Sequence, residues 1–401
     1  MTTDLSSSPV PGRRRTVESG GGLLGALGPT DHVDGAAPSG APGAPGAGPG
    51  RGTVDGTGGG AGTGGGAGTG GGAGTGQGTG TVRRRESRRA WLVVAVLGAL
   101  AVACLAAFVL VDLTGAVAYI LPRRLSTVAA MALVAYAIGV STVLFQTVTG
   151  NRILTPSIMG FDALYVLIQT VMVWVFSAQS FLSAPAPLRF LLEAVLMVVF
   201  AVALYRWLFT GASQSLHLVL LIGIVFATLF RGISALLQKL MDPSEFIVLQ
   251  DLFFASFGMV DPQLLGIAAA LLGLASIPVW RMRHELDVLA LGRDTAVSLG
   301  VDHRGRTLQI LVIAAVMVAV STALVGPVTF FGLLVANLAY QVGAFRHRWI
   351  LPAAVFLGII MLSGGQLVLQ HVFGFDTALS IIIEFAGGIV FLAMLLRGKV
   401  R

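Results

Sequence analysis

Residues 284–306 read HELDVLALGRDTAVSLGVDHRGR and crowd charge between two long apolar runs, in a chain where only 11% of residues are charged and 55% are hydrophobic. Leu286, Leu289 and Leu291, then Ala296 and Leu299, form small apolar stripes at helical spacing. Gly292 and Gly300 follow them as C-terminal caps would. The spacing predicts two short helices, LDVLALG and RDTAVSLG, folded into a knob. Its chemistry would be recognition and not bond making, because so small a structure cannot bury all its own apolar side chains. A groove on a soluble partner would cover them by helix-in-groove docking. An amphipathic linker lying on a membrane surface is the competing reading.

Other residues able to do chemistry lie inside apolar runs: Asp162, Glu193, Arg231 and Glu384. Charge is costly at the centre of a bilayer, so each is a functional candidate. Asp162, near a helix start, also reads as a cap facing the positive dipole end. Glu193 and Arg231 sit near helix ends, where interfacial water or polar partners are within reach. Glu384 lies deeper and either lines a pathway or pairs with a buried donor. The carboxylates form no regular series of the kind a proton relay needs. The chain has no G-x-x-x-x-G-K-[ST] phosphate loop and no C-x-x-C, and His32, His217, His284, His303, His347 and His371 form no H-x-x-x-H or H-E-x-x-H pattern. No metal site, cofactor or catalytic residue is expected. The single cysteine, Cys104, falls in an apolar run and excludes an intrachain disulfide.

The elements that must position these residues are membrane spans. Apolar runs cover 91–111, 125–147, 159–178, 188–209, 216–239, 262–280, 307–325, 349–371 and 376–397. A helix rising about 1.5 Å per residue needs about 20 residues to cross the hydrocarbon. The shorter stretch 327–341 follows Gly326-Pro327 and predicts a half-helix or tilted short span. The expected fold is therefore an all-α polytopic membrane protein of about ten membrane segments. Residues 1–82, Gly- and Pro-rich with GTGGGA repeats, have too little apolar surface to offset ordering entropy and are expected to be a disordered tail, leaving 83–401 as the membrane domain. The net charge of +7 does not signal nucleic acid, because Lys and Arg gather at span ends. The cluster Arg83–Arg89 and the arginines of 281–306 favour cytoplasmic N- and C-termini, place the 284–306 knob inside, and offer Arg83–Arg89 to anionic lipid.

At the knob the chain resembles the membrane subunits of binding-protein-dependent ABC importers of the iron-siderophore and vitamin B12 family. The pattern L-x-x-L-x-L-G-x-x-x-A-x-x-L-G is met by Leu286, Leu289, Leu291, Gly292, Ala296, Leu299 and Gly300. The resemblance runs from about residue 91 to the C-terminus. It implies a type II importer permease fold, with the knob as the element that fits a cleft in a separate ATPase subunit. Three further blocks agree. NRILTPSIMG keeps Asn151, Pro156 and Gly160; GPVTFFGLLVANLAY keeps Gly326, Phe330, Gly332 and Leu333; the last span keeps Gly387, Phe391, Leu395 and Leu396. Ala336, Asn337 and Tyr340 stand where the family has Pro, His and Arg, and these departures resemble the branch that serves ferric siderophores, catecholates in particular.

The resemblance further implies a second permease chain, alike or different, and an extracytoplasmic siderophore-binding protein. Arg124 matches the first arginine of an outer docking motif, and Arg123 stands beside it. Phe330, Gly332, Asn337 and Glu384 are the expected lining of the path. The implied function is ATP-driven import of a ferric siderophore across the cytoplasmic membrane, with hydrolysis on the partner and no enzyme activity in this chain. A cobalamin or haem importer competes within the class. A secondary transporter or a membrane receptor signalling through the knob competes from outside it.

Overall fold

A computed structural model describes residues 77–396, apart from 112–116, 211–215, 254, 255, 259, 343–345 and 371–378. The described elements are helical: α1 (Gln77–Leu110), α2 (Val117–Thr149), α3 (Phe161–Phe176), α4 (Ala178–Ser183), α5 (Ala186–Thr210), α6 (Leu216–Leu240), α7 (Pro243–Leu252), α8 (Pro262–Leu289), α9 (Arg293–Ser298), α10 (His303–Val325), α11 (Phe331–Val342), α12 (His347–Val368) and α13 (Leu379–Leu396), with a 3₁₀ turn at Pro156–Met159. Among them α1, α2, α5, α6, α8, α10 and α12 are long and apolar enough to cross a membrane, and α3 and α11 are shorter apolar helices. With α13 these match the ten segments expected from the sequence.

α2 and α10 form the centre. They pack on each other, and α2 also meets α12 while α10 meets α5. Small residues bring α2 and α12 close: Gly139 faces Ala354, and Gly358 faces Ala135. Such contacts stand in for the hydrophobic driving force that lipid tails cannot supply between helices. Ser141 and Thr147 of α2 are buried, and their hydroxyls return to its own backbone. Ser141 donates to the Ile138 carbonyl at 3.1 Å and Thr147 to the Val143 carbonyl at 2.7 Å. A group without water must find its partner inside the protein.

Several boundaries differ from those expected; α2, for one, begins at Val117 and not near 125, so Arg123 and Arg124 lie within it. The first helix of the knob is not separate, because α8 runs unbroken from Pro262 to Leu289 and carries Pro278 within it. The sequence ended that span at 280, where charge begins. A helix leaving a membrane has no reason to stop at the change of solvent. The 159–178 span divides into α3 and the short α4 at Ser177, a non-glycine residue at φ 61°. The 240–261 connection contains α7, capped by Asp242, whose carboxylate accepts from the Ser244 backbone N–H at 2.9 Å and its hydroxyl at 2.6 Å. These bonds hold the Asp242 carboxyl below the usual carboxylate range. Finally, α1 begins at Gln77, so residues 77–82 join a helix and not the tail. Residues 1–76 and His371 lie outside the described residues.

Candidate functional site

The two glycines of the knob have the backbone that their type permits. Gly292 sits at φ 96° and Gly300 at φ 82°, where a Cβ would clash with the backbone. Gly292 ends α8 by donating to the Leu289 carbonyl at 3.1 Å, and its own carbonyl accepts from Ala296 at 3.0 Å to begin α9. At the far end the Gly300 N–H reaches the Val297 carbonyl at 2.9 Å and the Val301 N–H reaches Ala296 at 3.0 Å, the paired bonds of a Schellman stop. Asp302 then caps α10 by accepting from the Gly305 N–H at 3.1 Å.

These turns sort the apolar residues into two layers. Leu286, Leu289 and Ala296 are buried within the chain. Leu291 is 62% exposed, Leu299 61% and Val297 56%. Only Leu291 and Leu299 of the five apolar motif residues are thus free to meet a partner, and Val297 joins them. The motif's regularity concealed this division, because three of its five apolar positions serve the knob's own interior. Val297 was missed because it is not part of the motif; its place on α9 next to the buried Ala296 is the signal that identifies it.

Polar contacts brace the knob against the bundle. Arg306 on α10 pairs with Glu285 on α8, with nitrogens 2.7 and 3.2 Å from its two oxygens. Asp287 Oδ1 accepts from both the backbone N–H of His347 at 2.8 Å and its ring Nδ1 at 2.7 Å. The other ring nitrogen of His347 lies 2.7 Å from the Thr147 hydroxyl, in the last turn of α2. Sequence reading passed over Asp287, His347 and Thr147, because residues 60 and 200 positions apart leave no local pattern.

At the opposite end, Arg124 donates to the carbonyls of Phe108 at 3.3 Å and Val109 at 3.0 Å, and to that of Val111. It closes the C-terminal turn of α1, where free carbonyls and the negative dipole end attract a cation. Arg123 is exposed and donates to the Gly258 carbonyl at 3.4 Å. Of the two arginines expected to dock a partner, one is thus largely occupied as a cap. Near this end a cavity of about 260 Å³ is lined by Tyr165, Gln169, Arg189, Glu193 and Asp251 among others, with Arg189 stacked 5.3 Å from the Phe181 ring centre.

The expected path residues separate. Gly332 is buried against Thr142 and Ile138 of α2, and no Cβ would fit there. Asn337 is buried and donates to the Leu333 carbonyl at 2.8 Å and the Arg152 carbonyl at 3.2 Å, which ties α11 to the segment after α2. Both are packing residues of α11. Phe330 meets α13, because a Cβ at Gly387 would collide with its own Cβ. Glu384 is half-buried and bonded to Thr329. Thr329 also donates to Asp162 at 2.7 Å. Asp162 is therefore no N-cap: Gly160 holds that position, and the carboxylate joins α3 to the stretch before α11. Arg231 is exposed on α6, while Glu193 is buried.

The profile of the FecCD transport family matches residues 90–397. The petrobactin import system permease protein YclO of Bacillus subtilis (strain 168) is 46% identical over 305 residues, 76% of this chain and 96% of its own. The petrobactin import system permease protein FatC of Bacillus anthracis is 36% identical over 324 residues, 79% of this chain and 91% of its own. A solved structure, described as an inward-facing conformation of a metal-chelate type ABC transporter, covers 76% of this chain and 99% of its own with a TM-score of 0.65 at 19% identity. That likeness shows the fold.

Proposed function

The chain belongs to the FecCD transport family, and from that membership we propose that it is the permease subunit of an ABC importer for a ferric siderophore, with petrobactin as the first cargo to try. Its identity to two petrobactin import permeases supports the choice of cargo. The observation that carries the mechanism is the exposed triad Leu291, Val297 and Leu299 on a knob held rigid by its own interior. Three apolar side chains on a structured tip match what a cleft in a soluble ATPase would bury.

In this reading the knob faces the cytoplasm, and both termini lie on that side, as the distribution of arginines favours. ATP binding draws two knobs together, one from each permease chain, and the bundles above them switch the open side of the path. A charged group facing lipid is costly. Exposed Arg231 on α6 and half-buried Glu384 on α13 therefore support a water-filled path or a second permease chain against those helices. Exposed Arg123 is placed to meet a carboxylate of the binding protein at the outer end.

A deletion strain grown with ferric petrobactin as sole iron source tests the cargo. Growth should fail and return when the chain is restored. Unimpaired growth of the deletion strain, with growth lost only on another chelate, would refute petrobactin.

A further inference from the structure

We infer that Asp287, His347 and Thr147 form the strut through which the knob moves the bundle, an inference that rests on the knob being the ATPase contact. Asp287 stands in the last turn of α8, between Leu286 and Leu289, whose side chains fill the knob's interior. Any push on the tip is thus delivered directly to its carboxylate.

His347 is the first residue of α12, and Arg346 before it makes no side-chain cap. An α-helix leaves its first N–H groups without intrahelical partners. Asp287 supplies the missing acceptor from another helix: one oxygen takes the backbone N–H of His347 and its ring Nδ1 together. The start of α12 is consequently fastened to the end of α8 by two bonds on a single atom. The imidazole is buried and planar, and its far nitrogen reaches the Thr147 hydroxyl. Thr147 in turn donates to Val143 of its own helix, so the hydroxyl is fixed at both ends.

The strut joins three helices with different positions in the fold. α8 bears the knob, while α12 and α2 pack on each other at the centre. The Arg306–Glu285 pair links α8 to α10, but both partners are over a third exposed, and so exposed a pair transmits less than a buried one. α8 also meets α2 directly further along, where Tyr136 bonds to Ser276 and Trp280. The buried imidazole is the contact that ties the knob end of α8 to the ends of α12 and α2 at once. With the backbone N–H of His347 it makes three attachments, the kind of discrete contact through which coupling travels. In this role all three residues are positioning residues.

The test is a reconstituted complex in liposomes with the ATPase subunit and binding protein, fed ferric petrobactin, with uptake and ATP hydrolysis measured together. Thr147→Val keeps the shape of the side chain and removes the hydroxyl; Thr147→Ser keeps the hydroxyl. Thr147→Val should bind the ATPase normally and lower siderophore imported per ATP by about threefold to thirtyfold, the range for residues that carry coupling. Thr147→Ser should restore most of it. His347→Gln, which cannot bridge Asp287 and Thr147 at once, should behave like Thr147→Val. An unchanged ratio in both Thr147→Val and His347→Gln overturns the strut while leaving the permease reading intact. A wild-type chain that retains no ATPase overturns that reading and the strut with it.

Discussion

The two ends of the bundle handle charge and apolar surface in opposite ways. At the knob, two charged pairs join separate helices: Glu285 with Arg306, Asp287 with His347. The knob's exposed tip carries apolar side chains, Leu291, Val297 and Leu299, beside exposed charges such as Arg293 and Asp294. At the far end Arg124 turns to the main-chain carbonyls at the close of α1 and Arg123 to that of Gly258, and a cavity of mixed polar and apolar lining opens between other helices. A rigid apolar tip suits a partner that stays bound and is moved through a cycle. A main-chain-anchored, charged surface suits one that docks and leaves, because exposed ion pairs are weak and salt-sensitive.

Substitutions can break that contrast, and the interior of the knob should yield the largest effect. Leu286→Ala should lower stability by about 2–5 kcal/mol, as for a buried leucine whose cavity cannot collapse. Leu299→Ala should stay within about 0.5 kcal/mol, as for an ordinary surface change. Thermal unfolding of the purified protein in detergent separates the two, and equal losses would erase the distinction between layers. Next come the glycines. Gly300→Ala and Gly292→Ala should each cost about 1–2 kcal/mol from left-handed backbone strain alone. Arg293→Ala, one residue away on α9, should cost little, and comparison of melting curves gives the answer.

The smallest effect is at the far end. Arg124→Ala removes the cap of α1 and should cost about 1 kcal/mol of stability, typical of a lost helix-end partner. Arg123→Ala should leave stability unchanged and weaken binding-protein docking by less than about tenfold, as a rim charge does. Titrating binding protein onto nanodiscs at two salt concentrations checks this. A stability loss at Arg123 with none at Arg124 would reverse the assignment.

Much of this was legible in the sequence, for physical reasons. Long apolar runs report membrane helices directly, so the ten segments emerged with their order; Gly326-Pro327 marked the end of α10, and the short α11 begins a few residues later, at Phe331. Gly292 and Gly300 signalled turns because few other residues tolerate their φ. What the sequence concealed was orientation about the helix axis and long-range pairing. Leu289 and Leu291 look equivalent in a row of letters, yet one is buried and the other exposed, because α8 ends between them. Gly332 and Asn337 carried a functional look, but a glycine pressed on Thr142 and an amide bonded to two carbonyls are packing devices. The Asp287–His347–Thr147 chain spans three helices and has no signature in any window.

The account rests on the apolar tip as the ATPase contact. Two exposed leucines buried in a cleft contribute about 1.5–3 kcal/mol each. The decisive measurement is co-purification of the full chain with its ATPase, comparing wild type with Leu291→Asp/Leu299→Asp, both checked for an unchanged melting curve. The account predicts that wild type retains the ATPase and the double variant loses it by about a hundredfold or more in affinity. Equal retention by the two proteins would contradict it.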